Sequence, residues 1–229
     1  MKLSIVIPTL NEAANIRQTL LALQPVRGMG HQVIVADGGS DDNTVALSLP
    51  LADRVIVAAR GRARQMNAGA RYAAGSVLLF LHADTLLPSD VGSLIMEGME
   101  REGRSWGRFD VCLSGRQPLL RAVEFMMNRR SRLTGICTGD QAIFVRRALF
   151  EEIGGFPEID LMEDLALCRK LKRRCPPLCL LRPVLTSSRR WDRDGVLRTV
   201  ALMWWLRLAY VAGVDPRRLA MAYKSERQR

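Results

Sequence analysis

The sequence predicts an α/β fold with a mostly parallel central sheet flanked by helices. Two observations carry that prediction. Apolar, β-branched runs recur at residues 3–8, 32–36, 54–57 and 77–81, and strands apolar on both faces belong in a sheet covered on both sides. Between them, apolar residues fall at helical spacing, so strand and helix alternate as parallel sheets require. A chain of 229 residues fits one domain or one domain with a small appendage. It buries enough surface to need no disulfide or metal staple.

The elements follow in order. Residues 3–8 form a buried strand. Asn11 is placed to cap a helix over 12–23, with Ile16, Leu20 and Leu23 on one face. Strands at 32–36 and 54–57 come next, then a helix over 63–74 and an all-apolar strand over 77–81. The second half is less regular. It reads as a helix over 89–102, a strand over 109–113, a helix over 119–132 and a strand over 141–145. A helix then runs to Ile153, with a turn at Gly154-Gly155, and a helix over 162–174 stops at Pro176-Pro177. A strand near Val184 and an apolar helix from about Val196 complete the chain. The change of character near residue 88 marks two halves of one domain, 1–88 and 89–191, followed by a helical appendage over 192–229.

Composition narrows the function. Hydrophobic residues make up 48% and charged residues 25%, which excludes a disordered chain. Two histidines, His31 and His82, exclude a histidine-rich zinc site. Five scattered cysteines point to reduced thiols in the cytoplasm. Cys175 and Cys179 lack the second pair that a zinc site needs. Of 34 basic residues only Lys2, Lys170, Lys172 and Lys224 are lysines, and the net charge is +11. That excess suits phosphate groups or an anionic surface, and equally a solvated basic exterior. No helix-turn-helix, zinc finger or aromatic stacking run indicates nucleic acid. Residues 1–7 are too short for a secretory leader. The apolar stretch 199–214 carries Arg207 and falls short of the roughly 20 residues of a spanning helix.

Polar loops follow the strands: Pro8-Thr9-Leu10-Asn11-Glu12 after the first, Asp37-Gly38-Gly39-Ser40-Asp41-Asp42 after the second, and His82-Ala83-Asp84 after the fourth. In an open parallel sheet these loops converge on one edge, where ligands bind. Their carboxylates would repel one another unless a divalent cation and arginines offset them. Taken singly, each loop serves as well for a cap, a turn or a strand end. The first loop has no glycine, so a dinucleotide fingerprint is absent, as is a phosphate-binding lysine loop.

Together with Asn67-Ala68-Gly69, Phe80-Leu81-His82-Ala83-Asp84 and Glu163-Asp164, these residues resemble family 2 glycosyltransferases of the GT-A fold over residues 3–191. Gly61-Arg62-Ala63-Arg64-Gln65-Met66-Asn67-Ala68-Gly69 and Leu81-His82-Ala83-Asp84-Thr85 resemble a short bacterial subgroup, the radical-SAM/selenodomain-associated transferases of arsenosugar biosynthesis type.

The resemblance implies a nucleoside diphosphate sugar donor, a hydroxyl acceptor that is a small molecule or lipid-linked, and a divalent cation, Mg²⁺ or Mn²⁺. It implies that Pro8, Thr9, Glu12, Asp37, Asn67 and His82 line the nucleotide pocket with Arg62 or Arg64, and that Asp84 binds both nucleotide and metal. One carboxylate with a diphosphate and water suffices for a hard cation. His82 stands where the family has the first aspartate of its Asp-X-Asp motif, and Met66 where it has arginine. Gly139, Asp140, Gln141, Glu163 and Trp191 would border the acceptor. Asp164 would be the general base, and Arg190 would stabilise the leaving diphosphate. Without the resemblance, Asp164 serves as well as a charge favourable to a helix N-terminus, and residues 187–191 as a basic loop.

The expectation is therefore an inverting, metal-dependent transferase. Two rivals are a nucleotidyltransferase, which would begin with a glycine-rich basic loop, and a silent nucleotide-binding or membrane-surface module. A helix apolar on all sides, as 199–214 reads, must be buried. Its own domain, a homodimer partner and the inner face of a membrane are all open to it.

Overall fold

The computed structural model describes residues 2–228, with side chains to residue 223. Met1 and Arg229, at the ends of the expected segments, and the Lys224 side chain lie outside the described residues. One eight-stranded sheet has the order β3-β2-β1-β4-β7-β6-β8-β5. Strands β1 (Leu3–Thr9), β2 (Gln32–Asp37), β3 (Arg54–Val57) and β4 (Val77–Phe80) are parallel, in the register Ile5↔Val33 and Ile5↔Leu79. The chain steps from β1 outward to β3, then returns to place β4 on the other side of β1. Connections diverge at that switch point, and a crevice opens at the carboxyl ends.

The second half adds β5 (Thr85–Leu86), β6 (Trp106–Leu113), β7 (Phe144–Arg146) and β8 (Leu178–Thr186). β7 runs antiparallel to β4 and β6, β5 antiparallel to β8, and β6 parallel to β8. One face of the sheet packs Ile5, Ile7, Val33 and Leu79 against Ile16, Leu20 and Ile95. Those partners come from α1 (Ala13–Ala22) and α5 (Val91–Arg101). The other face packs Val6, Ile34, Leu78 and Phe80 against Met66, Phe150 and Leu167, from α4 (Arg62–Arg71), α7 (Arg147–Glu152) and α8 (Glu163–Lys172). Burial on both faces is why these strands read as unbroken apolar runs.

Several local expectations are corrected. Asn11 does not cap α1, which begins after Glu12 without a side-chain cap. Asn11 sits at φ +55°, and its side-chain oxygen accepts the Asp41 N–H at 2.9 Å, tying the first loop to the second. The strand expected over 141–145 begins only at Phe144, after a 3₁₀ turn over Gly139–Gln141. Short helices α2 (Gln24–Gly28), α3 (Thr44–Ser48) and α9 (Arg189–Asp194) are too brief to show a period. α6 (Pro118–Thr134) crosses beside β6, and α10 (Val196–Val211) and α11 (Pro216–Gln228) close the chain. They are not detached: Leu206 of α10 and Leu219 of α11 are buried against Met162 and Leu165. Nor is α10 buried all round. Val196, Thr199 and Leu206 are buried, while the opposite side is open.

All five cysteines are free. Arg108 is buried, ion-paired with Asp110, which also meets Arg132. No helix among the described residues is long and apolar enough to cross a membrane.

Candidate active site

The ends of β1 and β2 form a closed hydrogen-bonded corner. Asp37 is buried. Its carboxylate accepts from the Thr9 hydroxyl at 3.0 Å, the Ser40 hydroxyl at 2.6 Å, and the N–H groups of Gly39 and Ser40 at 2.9 and 2.8 Å. Gln65, which the sequence reading passed over, donates to the carbonyls of Thr9 and Ala36 at 2.6 and 2.9 Å. It thereby locks α4 onto both strand ends. Glu12 stands at the rim, 3.8 Å from the Arg189 guanidinium.

A second group gathers past the end of β4. Here the chain brings together His82, Asp84, Asp140, Glu163, Asp164 and Arg62 from four separate segments. His82 Nδ1 lies 3.1 Å from Asp140. Burial opposes charge on the ring, but the Asp140 hydrogen bond and charge outweigh it and raise the His82 pKa. Gly139 fits only because it lacks a side chain, since a Cβ there would sit 2.3 Å from His82 Nε2. Met162 adopts φ +69°, a costly conformation for a non-glycine residue. It turns the chain so that α8 starts with Glu163 and Asp164 at the cleft.

Asp164 accepts from the N–H groups of Gly139 at 3.0 Å and Leu165 at 2.7 Å. These bonds hold the carboxylate toward the group rather than leaving it a free helix-end charge. Glu163 is almost fully buried, and its partner is Arg62 at 3.3 Å. Burial pushes its pKa up, against the Arg62 charge. Burial also raises Asp84, against a hydrogen bond from its own N–H and the charges of His82 and Arg189. The cleft is lined by His82, Gly139, Glu163 and Asp164, with Met66 and Phe80 among its apolar walls.

α9 supplies the cations at the opening. Arg189 acts on Asp84 as well as Glu12, and Arg190 acts on Asp140. The Arg190 guanidinium carbon sits 4.9 Å from the Tyr223 ring centre, and its buried Nε has no hydrogen-bond partner among the described residues.

Four expected residues lie elsewhere. Asn67 clasps the backbone of Phe156, donating to its carbonyl and accepting from its N–H, both at 2.9 Å. Gln141 is buried, its amide donating to the Ser131 hydroxyl at 3.0 Å. Trp191 packs against Leu113, Leu120 and Val196. Arg64 points to Glu158, 3.6 Å away, so Arg62 is the arginine that reaches the group.

Two further arginines act on it electrostatically, unannounced by the sequence reading. Arg207 follows Leu206 on α10. Burial lowers its pKa, against the attraction of Asp164 and Asp140. Burial and repulsion from Arg207 lower Arg130 to about 10, and Arg130 donates to the Ile136 carbonyl at 3.3 Å. The available signal was Arg207 itself, a lone charge inside an apolar helix, which has to face a polar partner.

A mostly parallel sheet with polar loops at the β1–β4 switch, extended by the antiparallel β7, has the GT-A architecture. Residues 4–154 match the family described as Glycosyl transferase family 2, and the chain belongs to that family. In curated sequence it is 33% identical, over 109 residues, to the uncharacterized glycosyltransferase YfnE of Bacillus subtilis. That match covers 44% of this chain and 28% of YfnE.

In fold it is similar to S. aureus TarS residues 1–349, with TM-score 0.66 and 20% identity, covering 88% of this chain and 65% of that one. It is also similar to the mannosyltransferase PcManGT of Pyrobaculum calidifontis in complex with GDP-Man and Mn²⁺. There the TM-score is 0.59 and the identity 21%, with coverage of 81% and 56%. Glucosyl-3-phosphoglycerate synthase of Mycobacterium tuberculosis, in complex with Mn²⁺ and UDP, gives TM-score 0.58 and 18% identity over 81% and 70%. The chain thus spans about a quarter of its curated relative and less than two-thirds of the first two solved structures.

Proposed function

We propose that this chain is an inverting glycosyltransferase. It moves a sugar from a nucleoside diphosphate sugar to a hydroxyl acceptor by a single displacement. The observation that carries this is Asp164, anchored by the Gly139 N–H at a cleft that also contains the strand-end His82. In the reaction, the acceptor oxygen forms a bond to the anomeric carbon as the bond from that carbon to the diphosphate breaks. The acceptor proton passes to Asp164, a role for which a positioned carboxylate at neutral pH is suited. Arg190, whose buried Nε makes no hydrogen bond among the described residues and lies 4.0 Å from Asp194, offers charge to the leaving diphosphate. Thr9, Glu12, Asp37 and Arg62 flank the nucleotide side, and Asp140 and Glu163 the acceptor side.

The residues present fit a hard divalent cation, Mg²⁺ or Mn²⁺, held by Asp84. That carboxylate is partly withdrawn from water and meets no cation at ion-pair distance among the described residues, with His82 and Arg189 acting on it from further off. No group of three or more His, Cys, Asp or Glu residues able to hold a metal exists among them, so diphosphate oxygens and water would complete the shell. When bound, the ion supplies charge neutralisation on the diphosphate. The signatures at 61–69 and 81–85 support membership of the short subgroup, and the free thiols support a cytoplasmic location.

The test is turnover of purified protein against a panel of nucleotide sugars with Mn²⁺, Mg²⁺ or excess chelator, with the product's anomeric configuration read by NMR. The expected product has the configuration opposite to the donor and forms only with metal. Retention of configuration overturns the single displacement, and full turnover in chelator overturns the role of Asp84.

A further inference from the structure

We propose that the outer faces of α10 and α6 form one docking surface for an anionic lipid bilayer. On α10, Leu197, Trp204, Trp205, Leu208 and Val211 are between 47% and 72% exposed. Their spacing places them on one side of the helix, opposite buried Thr199 and Leu206. α10 leans on α6 through Val196, which is buried with Leu120 and Val123. α6 in turn exposes Phe125 at 63%. Exposed apolar faces of this kind on a folded chain mark an interaction surface.

The charges around it choose the occupant. Exposed arginines border it: Arg129, whose guanidinium lies 6.0 Å from the Phe125 ring centre, and Arg217 and Arg218 at the start of α11. The carboxylates nearest in sequence are engaged, Asp194 with Arg193 at 2.6 Å and Asp192 by the Ser188 hydroxyl at 2.7 Å. Glu124 pairs with Arg121 at 3.0 Å and accepts the Leu113 N–H, while Asp215 accepts the Arg217 N–H at 2.8 Å. A second copy docked by a two-fold axis would bring a second set of the same arginines to the seam. An anionic bilayer satisfies both parts: tryptophan and leucine enter the headgroup boundary, and arginine meets lipid phosphate. At 16 residues, α10 is about 24 Å long and suits lying in the interface plane.

The opposite side of α10 packs on Met162 and Leu165, either side of Glu163-Asp164. Docking therefore sets the candidate site close above the lipid, where an anchored acceptor would present its hydroxyl. That consequence rests on the transferase reading; the docking does not.

The test is co-sedimentation of the full chain with phosphatidylcholine vesicles, with and without phosphatidylglycerol, across a salt series. The chain should bind the anionic vesicles, with Trp emission shifting to the blue, and affinity should fall at least about tenfold as salt shortens the screening length. Trp204→Ser with Trp205→Ser should weaken partitioning by about tenfold or more at an unchanged unfolding temperature. Leu197→Gln with Leu208→Gln is the second pair, should the first disturb folding. No binding at low salt overturns the proposal, as does equal binding to neutral vesicles. A lipid-free dimer that protects the tryptophans also overturns it and assigns the face to a second copy. Nucleotide-sugar binding, measured on the same samples, judges the transferase reading separately.

Discussion

The corner around Asp37 and the cluster around Asp84 and Asp164 lie at the same edge of one sheet, yet they treat their carboxylates in opposite ways. Asp37 is given four donors by its own chain. Asp84 is given only its own N–H among the described residues, and burial raises its pKa. A buried carboxylate with its hydrogen bonds made contributes to the fold, whereas one left short of partners costs stability until something else binds it. The difference teaches where to look for chemistry: not at the best-connected acidic group, but at the one the fold leaves incomplete.

The comparison breaks most sharply at Asp164. Asp164→Asn should cut turnover about 10²–10⁴-fold, the usual scale of a positioned general base, while donor affinity stays within a few-fold and the unfolding temperature barely moves. Steady-state kinetics beside a thermal melt would show this. Loss of donor affinity with turnover number intact would move Asp164 to binding.

Asp37→Ala should do the reverse. It strands the Thr9 and Ser40 hydroxyls and two N–H groups, at a cost of about 2–3 kcal/mol, seen as a lower denaturant midpoint at unchanged slope. If stability holds and only nucleotide binding falls, Asp37 belongs with the incomplete group after all.

Asp84→Asn should leave stability unchanged or slightly raised, because it removes a partly buried charge that meets no cation at ion-pair distance among the described residues. Metal-dependent donor binding should weaken about tenfold or more, about 1.4 kcal/mol, by calorimetry with and without Mn²⁺.

The smallest effect serves as a control far from the crevice. Asp53 accepts the Val33 N–H at 2.7 Å and pairs with Arg27 at 2.8 Å. Burial raises its pKa, but the Arg27 and Val33 bonds outweigh it and hold the carboxyl below its usual range. The folded value is the depressed one. Its stabilisation is therefore present above the unfolded pKa of about 3.9 and lost as pH falls through the folded value. Asp53→Asn should cost about 1 kcal/mol at pH 7, and the gap should close in strong acid. A gap independent of pH would mean the carboxylate charge is not what matters there.

The sheet was legible because β1, β2 and β4 are apolar on both faces and end abruptly in polar loops. The antiparallel return through β7 was not, since Phe144–Arg146 is short and its pairing with β4 and β6 is settled by distant residues. α2, α3 and α9 span five or six residues each, too few to show a period. Within the site, sequence order could gather His82, Asp84, Asp140, Glu163 and Asp164, whose segments all end at the crevice. It could not tell which way a side chain turns. Asn67 and Arg64 share α4 with Arg62, yet one faces the Phe156 backbone and the other Glu158. Arg207 was hidden for the opposite reason: its neighbours announce a lipid-like helix, and only packing on Met162 reveals what the charge faces.

The contact of Leu206 and Leu219 with Met162 and Leu165 has a consequence for trimming the chain. Proteolysis at the junction of α9 and α10 would leave every strand of the sheet in place. It would also uncover the apolar support of the one residue whose left-handed turn aims Asp164. Such a fragment would keep the loops around Asp37 while Asp164, the proposed base, lost its footing. Inactivity after trimming would then report a misaligned carboxylate, even for an acceptor that never touches the removed helices.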